Sequence, residues 1–283
     1  MKAMILAAGL GTRLRPLTDN VPKALVELNG RTLLEITIDR LKAFGATEII
    51  VNTHHHAEKI VAFLKSKNDF GIRIELSRED DLLLDTGGGL KKAAWFLQEG
   101  NSDEPFFLHN VDVLSNIDFR QMLDAHRKTS ALATLAVRER RSSRQLLFDA
   151  NGLLAGRRIN EVDTLVSSAN SVAGNVGTPA CVPVSGAELH PTSKPPAAEP
   201  EHRPLAAGLQ RLAFSGIHFI SPRLLPLITE SGVFSIIDTY LRLAKANEKI
   251  SAFRADSFYW RDLGRLEDLR RAADDLHLGL PCL

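Results

Sequence analysis

Over the first 110 residues, short apolar runs alternate with stretches whose apolar residues recur at helical spacing. Lys2–Ala8 reads as a buried strand. Leu33–Phe44 reads as a helix with Leu34, Ile38 and Leu41 on one face, stopped by Gly45. Glu48–Asn52 is a second apolar strand, Ala57–Leu64 a helix with Ile60 and Leu64 inward, and Ile72–Leu76 a third strand. The pattern then predicts a helix from about Gly89 to Leu97 and a strand over Pro105–Asn110. Strands alternating with helices require right-handed crossovers, so the chain is α/β, with a mostly parallel sheet covered by helices on both faces.

The rhythm changes after that. Asp118–His126 is predicted helical and Ala131–Val137 extended. Leu146–Asp149 and Leu153–Arg157 form a hairpin across Ala150-Asn151-Gly152, with an Asn-Gly turn. Leu212–Ile220 is a strand, Ile236–Ala246 a helix, Ile250–Ala255 and Phe258–Trp260 a final strand pair, and Arg265–Leu276 a closing amphipathic helix. Between about 160 and 209 the composition is Pro, Ala, Ser, Gly and Val without a sustained period, which predicts a long flexible insert. The expected organisation is one domain over 1–283, with halves at 1–130 and 131–283.

Lys and Arg total 35 against 34 Asp and Glu, a net charge of +1. A phosphate site in such a chain must be built locally and not by a general basic field, and nucleic acid is not an expected partner. Cys181 and Cys282 fit no metal or redox spacing and suit a reducing compartment. The apolar start covers about half of the ~20 residues a membrane span needs, and Arg13 and Arg15 follow it. The expectation is a cytoplasmic protein without a membrane partner.

The first strand runs into Ala7-Ala8-Gly9-Leu10-Gly11-Thr12-Arg13, with Thr18 and Pro22-Lys23 further on. Small residues and two glycines after a buried strand let backbone N–H groups wrap phosphate oxygens. A Walker loop needs Lys-Ser/Thr after its last glycine, and a dinucleotide fingerprint needs a third glycine and an acidic end to the second strand. Neither is present, since the second strand ends Asn52-Thr53-His54. Arg13 supplies a planar fork for phosphate and Lys23 a compact charge. His54-His55-His56 reads as a polar loop opening the next helix, because consecutive residues at a strand end point to different faces.

Three further segments stand out. Asp112 follows the apolar strand that ends His109-Asn110. Asp262 lies in Trp260-Arg261-Asp262-Leu263-Gly264, between a strand and a helix, where it could equally cap that helix. Asp85-Thr86-Gly87-Gly88-Gly89 carries three consecutive glycines, which implies close packing against the main chain.

Ala7 through Arg13 with Pro22-Lys23-Ala24-Leu25 resembles the signature of the nucleotidyltransferase family that makes nucleotide sugars. The resemblance implies a Rossmann-like three-layer sandwich with a mostly parallel mixed sheet and a small β-rich sugar-binding portion. It implies that Ala8, Gly9, Gly11, Thr12 and Arg13 line the triphosphate, that Lys23 binds phosphate, and that Thr86 and Gly87 read the nucleobase. By the same resemblance Asn110 contacts the sugar phosphate, Gly216 in Ala213-Phe214-Ser215-Gly216-Ile217 leaves room for the sugar, and Asp112 and Asp262 hold Mg²⁺. Arg13, Lys23 and Asp112 are the implied catalytic residues. Val111 stands where the family usually has glycine, and Arg157-Arg158-Ile159-Asn160-Glu161 lies near where its Glu-Lys-Pro motif belongs. The implied partners are an NTP and a sugar 1-phosphate, with UTP and an N-acetylmuramate 1-phosphate-like sugar preferred over GTP with mannose or heptose 1-phosphate. A monomer or homodimer is expected. A non-catalytic nucleotide-sugar sensor on the same fold is the contrasting class; retention of Arg13, Lys23 and both aspartates speaks against it.

Overall fold

The computed structural model describes residues 1–100, 103–166 and 208–279. In chain order the first half contains β1 (Lys2–Leu6), β2 (Glu27–Leu28), β3 (Arg31–Thr32), α1 (Leu33–Phe44), β4 (Glu48–Thr53), α2 (Ala57–Ser66), β5 (Arg73–Arg78), α3 (Asp85–Lys92), α4 (Ala94–Leu97), β6 (Phe106–Asn110) and β7 (Val113–Ser115). The remainder contains α5 (Phe119–Thr129), β8 (Ala133–Arg138), β9 (Arg144–Phe148), β10 (Leu154–Ile159), β11 (Val162–Leu165), β12 (Gln210–Ile220), α6 (Ile236–Lys245), β13 (Ile250–Arg254), β14 (Trp260–Asp262) and α7 (Leu266–His277). No helix among the described residues is long and apolar enough to cross a membrane.

The central sheet has the order β11-β10-β9-β12-β6-β1-β4-β5, with β8 and then β13 joined at β12. β1 pairs in parallel with both β4 and β6, and β4 with β5. β12 is antiparallel to β6, β8 and β9, which makes the sheet mixed. Side chains alternate across it with period 2. Ala3, Ile5 and Phe107 enter one core with α1, α5 and α7, while Met4, Phe106 and Leu108 enter the other with α3, α4 and α6. Burial on both faces is why these strands read as continuous apolar runs.

Local chemistry sets the helix ends. The Thr32 hydroxyl accepts from Glu35 N (3.1 Å) in a Thr-x-x-Glu cap, and Gly45 at φ 110° ends α1. Asp118 caps α5 by accepting from the N–H groups of Arg120 and Gln121. The turn between β9 and β10 uses Gly152 at φ 73°, while the Asp149 carboxylate accepts from Asn151 N and Leu153 N.

Three expectations need correction. The helix predicted from about Gly89 begins at Asp85, so the three glycines are helical. Tertiary contact outweighs their poor propensity. Gly87 N and Gly88 N donate to Phe234 O, and a Cβ on Gly87 would lie 2.4 Å from the Phe234 ring. The predicted final strand pair does not form. β13 pairs in parallel with β8, and β14 pairs antiparallel with β7, a three-residue strand too short to show a period. The flexible insert expected over 160–209 begins with an ordered edge strand, since Val162–Leu165 pairs with β10, and residues 167–207 lie outside the described residues. Cys181 and Cys282 lie outside them too.

Phe107 sits at the centre of one core, 4.4 Å from the ring centroid of Phe119 and 4.6 Å from that of Phe219. It is fully buried. Phe107→Ala is expected to destabilise the fold by ~3–5 kcal/mol in urea unfolding, and a loss under about 1 kcal/mol would contradict this packing.

Candidate active site

The carboxyl ends of β1, β4 and β6 lie side by side, since Leu6 is in register with Asn52 on one flank and Asn110 on the other. Ligands of open α/β sheets bind in this position. Asn52 fastens the chain where it leaves β1. Its Oδ1 accepts from Ala7 N (2.6 Å) and Ala8 N (3.3 Å), and its Nδ2 donates to Glu79 Oε1 (2.7 Å). Glu79, only 1% exposed, also accepts from Leu84 N through Oε2. Both oxygens of this buried carboxylate are therefore hydrogen-bonded, as burial of a charge demands. A Cβ on Gly89 would meet Asn52 Nδ2 and Glu79 Oε1, each at 2.8 Å, which accounts for the last of the three glycines.

The loop after β1 folds back on itself. Gly11 is left-handed (φ 66°), its carbonyl accepts from Thr18 Oγ1 (2.8 Å), and a Cβ there would lie 2.8 Å from Thr18 Cγ2 and 3.2 Å from Lys23 Cβ. This packing delivers Lys23 to Asp112, with which it forms an ion pair. Both side chains are largely buried, so the pair is held in a low-dielectric setting where loss of one partner strands the other. Thr12 opens the short turn Thr12–Leu14 that carries Arg13.

Asp112 and Asp262 are brought together by the β7–β14 pairing. Asp262 is in register with Val113, and Leu263 N donates to Asp112 O (2.8 Å). Asp262 Oδ1 accepts from Gly264 N (2.7 Å), whereas α7 has no side-chain cap, so Asp262 is not that helix's N-cap. A Cβ on Gly264 would meet Arg13 Nη2 and Asp262 Oδ1, each at 2.7 Å, so this glycine lets Arg13 lie beside Asp262. Val111, in place of the family's glycine, is buried and donates its N–H to Leu6 O without disturbing the strand end.

These residues border two adjoining lobes of one cleft. The narrow lobe, about 360 Å³, is lined by Ala8, Gly9, Lys23, Asn110 and Asp112, with Leu83 and Val233 as apolar walls. The wide lobe, about 1010 Å³, takes in Arg13, Asp262, Phe214, Trp260 and the turn after β8. Asp85, Thr86 and Asn110 border both. Thr86 uses its hydroxyl to accept from Ile236 N (3.0 Å), and Gly87 is buried under Phe234 and lines neither lobe. Gly11 and Thr12 line neither lobe. Gly216 (φ 76°) lies where β12 bulges between Phe214 and His218, and a Cβ there would press on Val113 and Asn110 Nδ2. The buried Asn110 Oδ1 has no hydrogen-bond partner in the protein, as suits a group awaiting a ligand.

The donor set fits a hard divalent cation. Asp112, in the turn that enters β7, and Asp262, at the end of β14, present carboxylate oxygens, and no group of three or more His, Cys, Asp or Glu able to hold a metal occurs among the described residues. Such a cation takes oxygen ligands and completes its shell with water and phosphate, and two carboxylates suit it. His54, His55 and His56 form the loop that opens α2, with His54 Nδ1 bonded to Glu79 O.

Residues 2–146 match the model of the Nucleotidyl transferase family. The chain belongs to that family. A mannose-1-phosphate guanyltransferase of Aspergillus fumigatus is 39% identical over 138 residues, 48% of this chain and 37% of the relative. An N-acetylmuramate alpha-1-phosphate uridylyltransferase of Caulobacter vibrioides is 46% identical over 112 residues, 39% of this chain and 45% of the relative. The chain therefore spans less than half the length of these curated relatives. Among solved structures, HddC of Yersinia pseudotuberculosis in complex with GMP-PN has a TM-score of 0.66 at 19% identity, covering 97% of this chain and 99% of that one. The mixed sheet flanked by helices is the Rossmann-like fold of these nucleotidyltransferases.

Asn52, Glu79 and Trp260 escaped the sequence reading. Asn52 was visible only as a polar residue ending an apolar strand. Beneath the site lie buried histidines. His218, bonded through Nδ1 to Tyr240 OH (2.8 Å), and His109, bonded to Asn110 O (2.7 Å), are each pushed down to about 3, mainly by burial. His126, beside Thr134, is lowered to about 4, again mainly by burial. The unfolded chain takes up protons at these groups below about pH 6.5, while the folded chain stays neutral until far lower pH. Stability is thus complete above pH 6.5 and falls as pH drops toward 4, by ~1.4 kcal/mol per pH unit for each histidine in that window. Urea titrations at pH 7, 6 and 5 should show this fall. A flat profile down to pH 5 would contradict it.

Proposed function

We propose that this chain transfers a nucleoside monophosphate from an NTP to a sugar 1-phosphate, releasing pyrophosphate. The observation that carries the reading is the junction of three elements: the glycine loop after β1, the Lys23–Asp112 pair beneath it, and Asp262 strand-paired beside Asp112. The nucleophile in such a transfer is already an anion, so no general base is needed. The obstacle is the approach of two anions, which positioning and preorganised positive charge overcome.

Ala8 and Gly9 offer backbone to the triphosphate at the end of β1. Lys23 offsets the charge of the α-phosphate and the incoming phosphate as they approach, and Arg13 stabilises the pyrophosphate as it forms. Binding of these phosphates would draw Lys23 from Asp112 and release its carboxylate. Mg²⁺ held by Asp112 and Asp262 would supply further positive charge to the α-phosphate and the incoming phosphate. Asn110, on the border of both lobes, orients the sugar phosphate, Gly216 leaves Asn110 the room that a Cβ would take, and Thr86 faces the base.

UTP with an N-acetylmuramate 1-phosphate-like acceptor is the preferred pair, in line with the relative from Caulobacter vibrioides. GTP with mannose 1-phosphate or a heptose 1-phosphate is the second reading, supported by the guanyltransferase relative and the GMP-PN-bound neighbour. A sensor has no need of a lysine paired to one of two adjacent carboxylates, which disfavours that class. Nucleic acid and membrane have no part in the reading, which places the enzyme in the cytoplasm as a monomer or homodimer.

Four NTPs crossed with a panel of sugar 1-phosphates, followed by pyrophosphate release, tests the proposal. A blank across the matrix would reject it. Asp112→Asn should lower turnover by about a thousandfold with a circular dichroism spectrum like that of the parent. Near-parental turnover in that variant would remove Asp112 from the chemistry.

A further inference from the structure

The wide lobe is far more basic than the chain as a whole. Eight arginines line it against four aspartates, in a protein of net charge +1. Three of the eight are neutralised in place: Arg157 pairs with Asp238, Arg158 with Asp163, and Arg261 with Asp275. Arg13, Arg140, Arg141, Arg144 and Arg265 make no ion pair among the described residues. Arg13 stands beside Asp262, with Arg265 just after it in sequence, where the reacting phosphates belong. Arg140 and Arg141 come instead from the turn between β8 and β9, and Arg144 is the first residue of β9 at the end of that turn. They line only the wide lobe, away from Lys23 and Asp112, which line only the narrow one.

That turn is braced. Arg140 lies over the Trp260 ring, 4.7 Å from its centroid, and its Nη2 donates to Phe214 O (3.3 Å). Trp260 is itself fixed through Nε1 to Ser215 O (2.8 Å), at the bulge of β12. Gln145 Nε2 donates to Arg140 O (3.2 Å), and the Ser142 hydroxyl donates to Arg144 O (2.8 Å). Arg140 Nε is buried without a partner, and burial lowers the pKa of this guanidinium. Asp262 offsets part of this cost, but Arg140 has no ion pair of its own, and an arriving anion would relieve the rest. An acceptor carrying charge only at its 1-phosphate would leave this set unused.

We propose that the turn bearing Arg140, Arg141 and Arg144 is a subsite for a second anionic group on the acceptor, remote from its 1-phosphate. The substrate class is therefore a sugar 1-phosphate that also bears a carboxylate or a further phosphate. This rests on the reading of the wide lobe as the acceptor side of a nucleotidyl transfer. The guanidinium forks suit planar, bidentate capture of either group.

Three acceptors with one NTP provide the test: N-acetylglucosamine 1-phosphate, N-acetylmuramate 1-phosphate, which adds a carboxylate, and glucose 1,6-bisphosphate, which adds a phosphate. A doubly anionic acceptor should be preferred in kcat/KM, with the better of the two naming the anion. Arg144→Gln, an exposed site, and Arg140→Gln should each reduce that preference about tenfold. Added salt should reduce it in the parent protein. No preference in the parent, or equal losses on all three acceptors in the variants, overturns the subsite and leaves the transfer reading standing. If no acceptor releases pyrophosphate with any NTP, the transfer reading fails. Calorimetry with phosphate-free N-acetylmuramate against N-acetylglucosamine then decides the subsite. Binding of the acid alone, weakened in Arg144→Gln, upholds it, and equal heats reject it.

Discussion

One side chain ties the carboxyl ends of the parallel strands together. Asn52 ends β4, receives the first two N–H groups of the loop after β1, and donates to a carboxylate anchored beyond β5. Backbone N–H groups leaving a buried strand must find partners, and here a neighbouring strand supplies them. The loop therefore departs in a fixed direction, Thr18 closes it on Gly11, and Lys23 arrives at Asp112. Glu79 and Gly89 belong to the same assembly, since the carboxylate that holds Asn52 also fills the space a side chain on Gly89 would need. Because these polar groups are buried and mutually satisfied, the arrangement is costly to leave half-made.

A second constraint acts from the other half. β14 is only three residues long, yet its pairing with β7 places Asp262 beside Asp112 across 150 residues of sequence. Gly264 then leaves room for Arg13. The backbone segments that carry the two carboxylates are fixed to each other by main-chain hydrogen bonds, which favours positional precision.

Much of this was legible in the sequence, and for identifiable reasons. β1, β4 and β6 are buried on both faces, so Lys2–Ala8, Glu48–Asn52 and Pro105–Asn110 read as unbroken apolar runs. The loop was legible because glycines, Arg13 and Lys23 fall within one short segment. What failed was long-range or short-lived in pattern. A helix through Gly87–Gly89 contradicts local propensity and is decided by Phe234 and Gly232, which lie far along the chain. Strands of three residues carry no period, so β7 and β14 were missed as a pair. Asn52 looked like an ordinary strand end because its partners come from two distant segments. The arginines of the wide lobe were scattered over more than 200 residues, and a net charge near zero concealed their convergence.

The bulge at Gly216 has a mechanical consequence. β12 contacts β9 through its first residues and β6 through its last, while β8 runs along it on both sides of the bulge. One continuous strand thus forms the back of the wide lobe and the flank of the strands that end at the narrow one. Rotating one half against the other would bend this strand or break its ladder, a far stiffer deformation than flexing a linker. Variation in what the wide lobe can hold is therefore confined to side chains and turns set on a rigid wall, so a change of a few residues there would reshape that lobe while the narrow one stays as it is.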